Sequence, residues 1–305
     1  MKLRYGKPFF IASAVVLIVG ALVAIAIVTN KKAEKNSAAI QVVAAENFWG
    51  NIASQIGGSH VRVVSIISNP NTDPHIYESD ANDAANISRA NIVIENGLGY
   101  DDFMNKITSA SPNAQRLVLS AANILEVTGN DPNPHLWYDI PRVPQVAQAI
   151  EQAFATKDPR HASTYAANLT TFDNSLQPIL NVINQIKSKY PNAPVAYTER
   201  VPGYLLADAD LDVKTPVGFA SAVEDGNDPS PDDTVAMDSL MTSHGVRVLL
   251  YNLQTASAVT ENVRDLANQA HIPVVGVTET LPPSEHDYQS WQLDQAEALL
   301  KALGD

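Results

Sequence analysis

Short runs of β-branched and apolar residues recur along most of this chain with helix-like stretches between them, and no other feature narrows its fold so far. IQVVAA (40–45), VRVVSII (61–67), IVIENG (92–97) and RLVLS (116–120) form a first series, with a helix predicted over 48–56. PVAYT (194–198), VRVLLY (246–251) and IPVVGV (272–277) form a second, spaced by helical patterns over 232–243 and 256–269. Strands that are apolar at nearly every position are covered on both faces, as in parallel sheets layered between helices. The pattern predicts an α/β protein of two lobes, each a mainly parallel sheet flanked by helices, over 40–143 and 191–305.

The stretch between the series, 144–190, is helix-compatible, opening on a proline and interrupted at Asp158-Pro159. Leu169, Phe172, Leu176, Ile179, Leu180, Ile183 and Ile186 recur mostly three or four apart, the spacing of one amphipathic face. That predicts a long bridging helix over about 160–189, kinked at Pro178. A helical bridge is stiffer than a loop hinge, so small local rearrangement is expected rather than wide closure.

Ahead of the first lobe, residues 8–29 form an unbroken apolar run behind Lys2, Arg4 and Lys7. At about 1.5 Å per residue it reaches about 33 Å, enough to cross a bilayer core. It predicts a membrane anchor or signal segment over 1–30, with the anchor favoured by its length, and a polar tether over 31–39.

The chain contains no cysteine, so disulfides, thiolate metal sites and cysteine nucleophiles are excluded, as is lipid attachment through cysteine. A net charge of −13 argues against a nucleic-acid surface. Any metal must be held by nitrogen and oxygen. Two loops offer such donors: Asp73-Pro74-His75-Ile76-Tyr77, just beyond the second predicted strand, and Asn133-Pro134-His135-Leu136-Trp137-Tyr138-Asp139. Ligands of open α/β sheets gather at the carboxyl ends of strands, and a proline ahead of histidine stiffens the backbone that presents the ring. His60, His161, His244, His271 and His286 lack this context and are read as structural or surface residues. Asp73 and Asp139 are candidate acceptors for the ligands' second ring N–H. Core packing is the expected role of Trp137.

With these motifs in view, the chain resembles the metal-binding receptors of ABC importers for zinc and manganese, the ZnuA-like and PsaA-like solute-binding proteins. DPHIYES (73–79), ENGLGYDDFMNKI (95–107), NPHLWYD (133–139), AYTERVPGYL (196–205) and IPVVGVTETLPP carry the resemblance, which spans about 40–303. It implies an ion between the lobes held by His75, His135, Glu199 and Glu279, with Glu285 and Asp287 near the last of these as alternatives. It also implies an extracytoplasmic protein, anchored here through its N-terminal helix, that delivers Zn(II) or Mn(II) to an importer permease driven by its own ATPase. Two imidazoles and two carboxylates suit either ion; mixed nitrogen and oxygen ligation leans toward manganese. The competing readings are a surface adhesin, which lacks support from repeats or a low-complexity stalk, and a metal-dependent hydrolase, for which there is no HExxH motif.

Overall fold

The computed structural model describes residues 39–70, 72 and 77–304. The expected anchor and His75 lie outside them. Among the described residues no helix is long and apolar enough to cross a membrane.

The first lobe runs β1 (Ile40–Glu46), α1 (Asn47–Gly57), β2 (Val61–Ile67), α2 (Ala81–Arg89), β3 (Ile92–Glu95), α3 (Phe103–Ala110), β4 (Leu117–Ser120) and a single turn, α4 (Ala121–Ile124). All its strands are parallel, in the order β2-β1-β3-β4. The second lobe repeats the plan with β5 (Pro194–Tyr197), α8 (Gly203–Asp208), β6 (Asp212–Val213), α9 (Val217–Glu224), α10 (Pro231–Thr242), β7 (Val248–Asn252), α11 (Ala258–Gln269), β8 (Val274–Val277) and α12 (Tyr288–Gly304). Its order is β6-β5-β7-β8, again parallel. In each sheet the chain steps outward to one side of its first strand and then returns to the other. The crevice at such a reversal, outside the carboxyl ends of β1 and β3 or of β5 and β7, is where open α/β sheets bind ligands.

Between the lobes lie α5 (Val143–Lys157), α6 (Ala162–Ser175) and α7 (Gln177–Lys189). The expected bridging helix is present in two segments that meet at Leu176. Pro178 sits in the first turn of α7, where its missing N–H costs nothing, whereas inside a continuous helix its ring would strike the carbonyl four residues back.

Strand residues alternate between two cores, although the runs read as uniformly apolar. Val43, Ala45 and Val93 join Ile87, Phe103 and Met104 on the outer face of the first sheet. Leu249 and Ala196 do the same with Phe219, Met237 and Val263 on the second. The inner faces, with Val42, Ala44, Ile94, Val195, Val248 and Leu250, share one continuous core with α1, α5, α6, α7 and α12. Burying each such aliphatic side chain is worth about 1.5–3 kcal/mol, so the lobes are joined by cohesion as well as by covalent connection. Residues Ile40–Asp305 accordingly form a single compact unit. Polar contacts reinforce the seam: Asn47 Nδ2 donates to the Leu281 carbonyl at 2.7 Å while Leu281 N–H donates to Asn47 Oδ1 at 3.0 Å.

Candidate metal centre

One donor atom each of His135, Glu199 and Glu279 lies within 4.8 Å of the other two, and all three residues are buried. They arrive from different elements. Glu199 follows β5, whose last turn of chain is fixed by Thr198 N–H donating to the Leu250 carbonyl at 3.0 Å. Glu279 follows β8. His135 lies in the loop between α4 and α5, opening a turn of 3-10 helix over Leu136–Tyr138.

The His135 ring is held by Asn133. Asn133 Nδ2 donates to the Arg200 carbonyl at 2.8 Å, which turns its Oδ1 toward the histidine. That oxygen accepts from the His135 backbone N–H at 3.1 Å and lies 2.7 Å from Nδ1. Nδ1 therefore carries the proton and Nε2 the lone pair that a cation needs. Trp137 and Tyr100 pack edge-on around the ring, with centroids 5.2 and 5.7 Å away. Trp137 is also stacked on Phe48 at 4.0 Å, the core role expected for it. Asp139, an expected acceptor, instead pairs with Arg142 three residues on, at 3.3 Å, while Asn133 takes the place beside Nδ1.

The carboxylates are tied to one amide. Asn252, the last residue of β7, places Nδ2 2.6 Å from Glu199 Oε2, 2.7 Å from Glu279 Oε1 and 2.8 Å from Thr255 Oγ1. Gln254 N–H donates to Asn252 Oδ1 at 3.0 Å, which fixes which end of the amide faces the acids. The Tyr100 hydroxyl donates to Glu279 Oε2 at 3.0 Å, and its own ionisation is pushed well above the ordinary range, first by burial and then by the Glu279 charge. Gln254 Oε1 accepts the backbone N–H groups of Glu279 and Thr280 at 2.7 and 2.9 Å, so the loop after β7 holds the loop after β8.

Of the residues expected at the site, the structure brings together His135, Glu199 and Glu279. Asp287 is engaged elsewhere, accepting from Ser290 N–H at 2.8 Å at the start of α12. Asp73 and His75 lie outside the described residues. The chain just beyond His75 is firmly placed: the Tyr77 hydroxyl donates to Asp83 Oδ2 at 2.7 Å, and Asp80 and Asp83 cap α2 reciprocally. Asn133, Asn252 and Tyr100 were not foreseen. For Asn252 a signal existed, since it stands at the carboxyl end of a strand.

Two parallel-sheet lobes with matching strand orders, meeting over a buried set of nitrogen and oxygen donors, define a two-lobed α/β protein with a candidate metal centre. The chain belongs to the family described as ZnuA, the periplasmic component A of a zinc-uptake complex, whose model matches residues 42–302. Its relatives include the manganese-binding lipoprotein MntA of Bacillus subtilis, 29% identical over 144 residues that make up 45% of this chain and 47% of that protein. A putative metal-binding protein of Treponema pallidum is 24% identical over 69% of this chain and 71% of its own length. Matched segments thus span from about half to somewhat over two thirds of these relatives. The periplasmic zinc-binding protein TroA of Treponema pallidum has the same fold, with a TM-score of 0.75 over 87% of this chain and 99% of its own at 15% identity.

Proposed function

We propose that this protein captures a divalent transition metal ion, Zn(II) or Mn(II), outside the cytoplasm and delivers it to the permease of an ABC importer. The convergence of His135, Glu199 and Glu279 from both lobes on one ion-sized point carries the reading. An imidazole and two carboxylates bring two negative charges to a buried place, and a divalent cation is the partner that balances them. His75, which follows β2 in the sequence, is proposed as the fourth ligand. Holding the ion from both lobes makes its capture sensitive to their relative position, which is the handle a permease would use for release.

A binding role is favoured over catalysis because the donors are sealed. His135 is 0% exposed and both glutamates are 1% exposed, so a peptide or ester has no approach to the ion. The apolar run over 8–29 is proposed to hold the receptor at the membrane surface, in the place that lipid takes in relatives named lipoproteins.

Elemental analysis of the full chain, purified in detergent from metal-replete cells, should find about one equivalent of zinc or manganese, and calorimetry of the stripped protein should recover it. Glu279→Gln should bind far more weakly. Stoichiometric metal retained after His75→Ala and His135→Ala together would sink the assignment.

A further inference from the structure

From the bonds that join residue 200 to residues 131 and 133 we infer that the Arg200–Asp131 pair is a latch that sets how long the ion stays. The inference rests on the proposed metal site. His135, Glu199 and Glu279 are sealed from water, so an ion leaves them only when a segment carrying one of them moves. His135 is on the least regular of these segments, the connection 125–142 between α4 and α5, which contains only the 3-10 turn Leu136–Tyr138. Ahead of that turn the connection is bonded to the second lobe. Asn133 Nδ2 donates to the Arg200 carbonyl at 2.8 Å, and the Asn133 carbonyl accepts from the Tyr204 hydroxyl at 2.9 Å. Asp131 accepts from Nη1 and Nη2 of Arg200 at 2.9 and 3.0 Å.

Among the described residues this is the one ion pair that crosses the seam. It is also the bond that water reaches, because the Asp131 side chain is mostly exposed while Glu224, the other acid on the same guanidinium, is buried. Local opening begins where bonds are solvated and few apolar contacts are lost. When the pair parts, Arg200 keeps Glu224 and Asp131 returns to water, so neither charge is stranded. The segment that carries His135 is then held across the seam by the neutral bonds of Asn133, one step from moving off Glu199. The strength of the pair therefore enters the lifetime of the bound ion. Arg200 and Asp131 act through the segments they hold and are positioning residues.

Stopped-flow mixing of the zinc-loaded full chain in detergent with excess chelator gives the release rate. Asp131→Ala should release zinc about two- to five-fold faster, the strength of an exposed pair. Arg200→Lys keeps the net charge but replaces the fork by one ammonium, which stays with the buried Glu224, and should speed release to a similar extent. Raising salt from about 0.05 to about 0.5 M should speed release in the wild type and much less in Asp131→Ala, because the screened pair is gone. Wild-type rates in both variants, or the same salt dependence in Asp131→Ala as in the wild type, would overturn the inference. Faster release in Asp131→Ala alone would do so too, since losing one negative charge near the cation would explain it. If Arg200→Lys does not fold, the rate and salt dependence of Asp131→Ala decide. A wild type that binds no zinc would instead remove the metal site itself, and this inference with it.

Discussion

Arg200 and Asp131 face each other across the seam through two near-parallel bonds, Nη1 to Oδ2 at 2.9 Å and Nη2 to Oδ1 at 3.0 Å. The adjacent edge of the same guanidinium grips Glu224, with Nε to Oε2 at 2.7 Å and Nη2 to Oε1 at 2.8 Å. Arg200 follows Glu199 directly, and Asp131 stands two residues before the asparagine that aims His135. The clasp thus fastens together the segments of the two lobes that carry Glu199 and His135, two of the proposed ligands.

Losing the arginine and losing its exposed acid should have different costs. The Glu224 side chain is 6% exposed and that of Asp131 is 63% exposed. Arg200→Ala strands a buried carboxylate and should cost about 3 kcal/mol in urea unfolding. Asp131→Ala removes a solvated partner and should cost less than about 1 kcal/mol. Similar losses from both would contradict this division.

Asn133 should control affinity without touching the ion. Asn133→Ala leaves His135 Nδ1 without its acceptor and should weaken binding about 10- to 100-fold in calorimetry. Gly203→Ala tests the same support from behind, because a Cβ there would stand 2.6 Å from Asn133 Nδ2. It should give a smaller loss in the same direction, with the circular dichroism spectrum unchanged.

A cluster of acids at the carboxyl ends of β1 and β3 predicts the pH dependence of the metal-stripped protein. Glu46 is 0% exposed and faces Asp101, and burial followed by that neighbouring charge pushes its ionisation well up. Burial likewise raises Asp101 to about 6 and Glu95 to about 7. Each binds its proton more tightly when folded than when unfolded, so stability is fullest below the ordinary carboxyl range near 4 and declines as pH rises toward about 7. Glu46→Gln removes one ionisable group and should flatten the decline, raising stability at pH 8 by about 1 kcal/mol or more in urea unfolding. A steeper decline in the variant would refute the assignment.

The strands are legible because each is announced locally by a run of β-branched residues, and the His135 loop by the proline ahead of the ring. β6 was missed because Asp212 and Val213 make no apolar run; two backbone pairings with β5 define it. The division of the bridge at Leu176 was foreshadowed by Pro178 but read as a kink. Nearness in sequence makes Asp139 and Asp73 candidate acceptors, whereas the residue beside the His135 ring is Asn133, whose amide is oriented from the other lobe by the Arg200 carbonyl. Tyr100 and Asn252 are 179 and 27 residues from the glutamate they share, and such roles exist only once the sheets have met.

The single core beneath both inner sheet faces has a calorimetric consequence. Prising the lobes apart would wet apolar surface, and each Å² so exposed raises heat capacity by about 0.45 cal/K/mol. A receptor whose halves stay sealed to one another hydrates and dehydrates little as the ion arrives. Its enthalpy of capture should therefore be nearly the same at every temperature, and a steep dependence would be the signature of a seam that opens.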